Sequence, residues 1–569
     1  MISAAVAAAA VGLVVPGAAQ AAEPTPPAAA TGKAGSSGKA ASSGKAASSS
    51  KADAARAELR TSPFFSPADR STATTRPGGG KAAAQGANAA SAGDPHLSVE
   101  MGASHTTARG IMLTAYVMTI SDLPTAVQVD IDWGDGNKQT EAVLSDSDYP
   151  FLHLNHTYAE VGAHKVTLTA KDVRNDLTTT NTVDVVVAGS EFTPHAPTRL
   201  LDTRDGTGAA GARPVPAYGT TRVKVAGTGG IPAGVSAVAL NLTATNTRAA
   251  GHVTAYATGT DRPVTSNVNF TAGQTVPNLA IVPVSEDGHI ELYNHSDGTT
   301  DLLADVTGYF TRSAAAGYTS LAPTRLVDTR EGLGALRGPA SGQSSFAVQI
   351  AGAGGVPPKG VTAVALNVTV TDPREAGHLT LFPSGQKAPT TSNLNFTAGQ
   401  TVANSVIVPV GADGRIEIRN GSWSGADVIV DVVGHYSADG KAAYLPLTPT
   451  RLHDSREWWQ VKSQDFLHQR IPAGKSAPEA AVVNATVTNT TGSGHLSIAP
   501  DPNTQLQYDR GTAVVPHPPH SSNLNWTKGA TVSNLAQTGT GPDGIVDFWN
   551  RSWEPVDLVV DLFGIYDRR

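Results

Sequence analysis

A twenty-residue block, TSNLNFTAGQTVANSVIVPV at Thr391–Val410, recurs as TSNVNFTAGQTVPNLAIVPV at Thr265–Val284 and more loosely as SSNLNWTKGATVSNLAQT at Ser521–Thr538. Three copies of one block imply three copies of one domain. Phe192, Tyr318 and Tyr444 are spaced by 126 residues, as are TRLLDTR (Thr198–Arg204), TRLVDTR (Thr324–Arg330) and TRLHDSR (Thr450–Arg456). A period of 126 is too long for a solenoid unit, so tandem domains with separate cores are expected at 190–314, 315–440 and 441–569.

Each copy reads as about eight strands. In the middle one the clearest are Ser345–Ile350, Thr362–Thr371, His378–Phe382, Ser392–Phe396, Val402–Val410, Arg415–Arg419 and Asp427–Tyr436. AVALNVTV alternates as a half-buried strand does, whereas VIVDVV is apolar throughout but for one acid, as in a strand covered on both faces. No helical periodicity persists. Short strands with Asp413-Gly414 type turns predict an all-β chain whose repeats are β-sandwiches or jelly rolls; a β-trefoil would need a threefold pattern inside a repeat, which is not seen. The abundance of Gly (58) and Pro (37) suits that reading.

From 95 to 189 another β-rich pattern runs through Met112–Thr119, Ala126–Asp132, Lys165–Ala170 and Thr182–Val187. Its landmarks are Asp132-Trp133-Gly134-Asp135-Gly136 and HTYAEVGAHKVTLTA at His156–Ala170. Together these resemble a PKD domain, which implies an immunoglobulin-like sandwich. Asp130, Asp132 and Asp135 lack EF-hand spacing and read as turn residues, so neither metal nor cofactor is expected. The three repeats, through their DTR, SNLNF-AGQTV-N and D-V-x-G-Y segments, resemble modules of secreted actinobacterial proteins. That resemblance implies a location and a module type, not a reaction.

Met1–Ala21 resembles a secretory leader, with Ala19-Gln20-Ala21 as its small-x-small site but no Lys or Arg at its start. Residues 22–94 read as a disordered linker rich in Ala, Gly, Ser and Pro, with Lys33, Lys39, Lys45 and Lys51 recurring every six residues. No stretch offers the ~20 apolar residues of a membrane span. Residues 1–95 carry a net charge of +4 and the remainder −11, which argues against nucleic acid as a partner. The chain has no Cys, so disulfides and thiolate chemistry are excluded.

Several polar residues recur in all three copies: Asp202/Asp328/Asp454 with Arg204/Arg330/Arg456, Asn241/Asn367/Asn484, His252/His378/His495, Asn267/Asn393/Asn523, Asn269/Asn395/Asn525, and Asp305/Asp431/Asp561. Two carboxylates per domain meet the minimum for glycoside hydrolysis. An acid inside an apolar strand more often pairs with Arg, and the Asp–Arg set reads as a structural clamp. One His per domain is too few for zinc, and neither G-x-S-x-G nor H-E-x-x-H occurs. No catalytic residue is assigned.

The third repeat is rich in tryptophan. Trp526 replaces Phe270 and Phe396 and reads as core, whereas Trp458, Trp459 and Trp553, with Trp423 of the second repeat, are the candidate ligand-binding residues. Exposed rings of this kind stack on sugar faces. The expectation is a secreted, non-catalytic binding protein, extracellular or cell-wall associated, whose partner is a polysaccharide or cell-wall polymer. The alternative is an extracellular scaffold that contacts other secreted proteins; a third reading, an unrecognised glycosidase, requires Asp454, Asp561 and His495 to converge in one cleft.

Overall fold

The computed structural model describes residues 59–60, 62–72, 96–106, 108–120, 126–144, 151–187, 189–313, 315–472 and 477–568. The expected leader and most of the expected linker lie outside them.

Two four-stranded antiparallel sheets make the N-terminal sandwich. One holds Phe64–Ser66, His96–His105, Gly110–Ile120 and Phe151–Thr157; the other holds Lys138–Leu144, Ala126–Asp132, Gly162–Asp172 and Leu177–Val187. Trp133 and Tyr158 are buried between them, and the Tyr158 hydroxyl donates to the Trp133 carbonyl at 3.1 Å. Asp132 and Asp135 accept from the backbone of Gly134 and Asn137, which closes the Asp-Gly turns.

The expected linker, 22–94, is interrupted by an ordered segment at 62–72. Phe64–Ser66 pairs with Met101–Ala103, and buried Asn181 ties this segment down through the carbonyls of Pro67 and Val99. Two adjacent phenylalanines supply the apolar surface that the Ala/Ser/Pro-rich surroundings dilute in a compositional reading.

Each repeat is an eight-stranded jelly roll. In the first, the strands are Glu191–Asp202, Thr220–Lys224, Ala237–Thr245, Gly251–Ala257, Val268–Phe270, Val276–Pro283, His289–Ser296 and Asp301–Thr311. The sixth, third, eighth and first form one sheet; the second, seventh, fourth and fifth form the other. The second and third repeats keep the same orders.

The cores are not wholly separate, which corrects the expectation of independent domains. Along Ala237–Thr245, Val238, Leu240, Leu242 and Ala244 point into the repeat's own core. The alternate residues Ala237 and Ala239 enter a second cluster shared by all three repeats, with Ala363, Ala365, Ala480 and Val482 as their counterparts. AVALNVTV is therefore covered on both faces, not half-buried, because small alanines let a neighbouring repeat pack against the outer face. Seven aromatic residues occupy this shared cluster: Phe192, Phe310, Tyr318, Tyr436, Tyr444, Phe563 and Tyr566.

The ring closes in the backbone as well. Phe192 bridges to Ala316, Tyr318 to Ala442, and Tyr444 back to Ser190. Side chains repeat the cycle: Asn241 donates to the Ser392 carbonyl, Asn367 to Ser522 and Asn484 to Ser266, each at 2.6 Å. A second set of asparagines accepts across the same interfaces, with Leu279 N on Asn404, Ser405 N on Asn534 and Leu535 N on Asn278. Three consecutive jelly rolls thus form a closed pseudo-threefold unit within one chain, a heterologous contact repeated until it returns to its start.

The N-terminal sandwich packs on one end of this unit. Ala108 N donates to Arg568 O, Val161 N to Arg312 O, and Arg109 pairs with Glu191 at 2.8 Å.

Candidate functional site

The repeated acids and arginines form one ion network per repeat, at the end of the first strand and the middle of the eighth. Arg199 grips Asp305 through Nε and Nη2 at 2.9 and 3.1 Å and reaches Asp202 through Nη1 at 2.9 Å. Arg204 clamps Asp202 through two further bonds. The same network joins Arg325, Asp328, Arg330 and Asp431, and again Arg451, Asp454, Arg456 and Asp561. The hydrogen bonds from Arg204, Arg330 and Arg456 hold Asp202, Asp328 and Asp454 below the usual carboxylate range. Arg199, Arg325 and Arg451, the first arginine of each TRL block, are the partners that sequence reasoning missed. Their position three residues before the Asp was the available signal, since a β-bulge in this strand turns both residues to one side.

Asp454 and Asp561 share Arg451, but His495 does not join them. The cleft lined by Arg451 and Arg456 carries His252 and Asn269, which belong to the first repeat. Likewise Arg199 and Arg204 face His378 and Asn395 of the second repeat, across a cleft of about 680 Å³. The repeated histidine therefore faces the ion network of a neighbouring copy and not that of its own. Burial lowers the pKa of His378, and burial with His295 and Arg451 nearby brings His252 down to about 4, so both rings are neutral at pH 7. Asn267, Asn393 and Asn523 are fully engaged in the fold, each accepting from a backbone N–H of its own fourth strand.

Trp458, Trp459, Trp553 and Trp423 all lie on the surface, 69%, 83%, 82% and 82% exposed. Trp458 and Trp459 follow the short helical turn Ser455–Glu457, with ring centroids 6.5 Å apart. Trp553 sits in the turn that leads into the eighth strand, Asp557–Arg568; Trp423 occupies the equivalent turn of the second repeat. Trp526 and Trp549 are buried. The eighth strand fixes where the exposed rings stand. Its far end, Arg568, touches the N-terminal sandwich, and the strand itself is about 36 Å long, so Trp553, just before its start, stands at the opposite end of the jelly-roll unit.

No family model and no curated protein matches the chain. Among solved structures, a chain from the Sulfolobus turreted icosahedral virus is 10% identical over 67% of this chain and 91% of its own, with a TM-score of 0.15. A chain from an archaeal virus, described by its triple jelly-roll fold and turret assembly, is 9% identical over the same shares, with a TM-score of 0.14. Scores that low carry nothing over to this protein.

Proposed function

We propose that this chain is an extracellular, non-catalytic binding protein that holds a polysaccharide or cell-wall polymer through the tryptophans at the far end of its jelly-roll unit. The observation that carries this reading is the exposure of Trp423, Trp458, Trp459 and Trp553 at the end away from the N-terminal sandwich. Four indole rings left in water forgo burial that a folded chain ordinarily secures, and flat apolar faces with one polar edge suit sugar rings. The leader-like segment and the PKD-like motifs support an extracellular setting, with the sandwich as a spacer. The carboxylates of the three ion networks are held by arginine, which ill suits these particular acids to the general-acid and nucleophile roles of a glycosidase.

The test is capture of the protein on insoluble peptidoglycan, chitin and cellulose, beside a variant carrying Trp423→Ala, Trp458→Ala, Trp459→Ala and Trp553→Ala. Capture by at least one polymer that falls tenfold or more in the variant is the expected result. Failure on all three would turn the same rings into candidates for a protein interface, where tryptophan is also enriched.

A further inference from the structure

We propose that the cleft between the first and second repeats is a separate binding site for a neutral, polyhydroxylated ligand of sugar-ring size. It rests on the carbohydrate reading for its choice of ligand, but not on the tryptophans.

Three features support it. The cleft, at about 680 Å³, falls in the range of small-molecule sites. Its charges cancel locally, since Arg199 and Arg204 are matched by Asp202 and Asp305, and His378 is neutral at pH 7. An anion would find no net positive charge there. Most of the remaining lining is hydroxyl and amide, including Thr243, Thr245, Ser392, Asn395, Gln274 and Gln400, groups that donate and accept as a polyol requires, and Leu303 and Phe396 add apolar surface.

The other two interfaces show why this one is singled out. Between the third and first repeats the cleft shrinks to about 190 Å³, below that range, although Asn269 Oδ1 and Thr486 Oγ1 there are buried without a protein partner. Between the second and third, the loop before Ser521 closes in, and the His520 carbonyl accepts from Arg325 Nη2 at 2.9 Å. The residues at the His520 position are Val264 in the first repeat and Thr390 in the second, and Thr390 lies exposed at the mouth of the large cleft.

Saturation-transfer NMR and calorimetry of the full chain with soluble cellohexaose and chitohexaose test the site. The expected result is binding of at least one of them at one ligand per chain, unchanged in the four-tryptophan variant. It should weaken tenfold or more both in Thr390→Trp, which blocks the mouth from an exposed position, and in His378→Ala/Asn395→Ala. Val264→Trp, the matching change at the small cleft, should leave it intact. Absence of binding by both oligosaccharides, or binding that persists in Thr390→Trp, overturns the proposal. Loss confined to the tryptophan variant does so too, while upholding the polymer reading; loss of polymer capture alone leaves the cleft standing.

Discussion

Asn241 donates its side-chain amide to the carbonyl of Ser392, 2.6 Å away and 151 residues further along the chain. Asn404 returns the contact, donating to Asn241 Oδ1 at 3.3 Å while its own Oδ1 accepts from Leu279 N. Each interface between repeats is thus latched by one asparagine of the third strand and one of the repeated block.

Removing one latch should weaken the whole ring. Asn484 is buried, donates to Ser266 O and accepts from Asn278. Asn484→Ala removes that donor from the Ser266 carbonyl and leaves the Asn278 amide with only its bond to Asn267 O, at a cost of about 1–3 kcal/mol. Urea unfolding should show the loss, with limited proteolysis cutting faster at the junction of the first and third repeats.

A glycine sets the spacing of the shared aromatic cluster. A Cβ on Gly434 would run into the Tyr318 ring, as one on Gly308 would meet Phe192 and one on Gly564 would meet Tyr444. Here the missing side chain is what lets an aromatic ring lie over the strand. Gly434→Ala is expected to lower stability by about 1–3 kcal/mol through overpacking. Thermal unfolding measures it, and Gly434→Ala/Tyr318→Leu should recover part of the loss.

The ion networks predict acid sensitivity. Asp328 is held below its ordinary value mainly by hydrogen bonds from Arg330. Such a group stabilises the fold above the unfolded carboxylate pKa of about 4, and the contribution disappears as pH falls through the lower folded-state value. Arg330→Gln should therefore be less stable than the parent at pH 7, with the difference closing below pH ~4. Denaturant midpoints taken across that range provide the check.

The third repeat holds the opposite case. Asp547 and Asp501 are buried together, and burial with the neighbouring Asp501 pushes Asp547 up to about 9. Asp501 in turn accepts from the Tyr508 hydroxyl and from Asn503 Nδ2, while the His468 ring stacks on Tyr508. A raised folded pKa means the unfolded chain binds fewer protons between pH ~4 and 9, so this pair costs stability as pH rises through that window. Asp547→Asn should exceed the parent in melting temperature at pH 8, and the two should converge toward pH 4.

The strands were legible because hydrophobic alternation and turn residues are local. Asp427–Tyr436 was expected where Asp427–Ser437 is found, and Ala126–Asp132 where the same span is found. Eight short strands left a sandwich and a jelly roll both open, and the pairing order decides for the jelly roll. The closed ring was not legible, since nothing in one repeat says that Asn367 will meet Ser522 of the next. The clue lay in the outward-facing alanines of the third strand, Ala363 and Ala365, which are too apolar for a wet surface and small enough for a neighbour. The tryptophans divided as the comparison of copies suggested for Trp526, which stands where Phe270 and Phe396 are buried. Trp549 had no such assignment. It is packed against Phe466 at 4.3 Å, a cross-strand partner that only the pairing of Phe466–Arg470 with Ile545–Asn550 brings near.

Holding all three jelly rolls in one polypeptide frees them from being identical. A trimer of separate, equal subunits must display every surface feature three times, and any substitution that spoils one corner spoils all. Here Trp458 and Trp459 mark a single corner, the loop bearing His520 closes a single seam, and the first repeat keeps Phe192 and Phe310 where the others carry tyrosines. Covalent linkage has turned a symmetric assembly into a body with a distinguishable front, so that its three faces are able to meet three different surroundings.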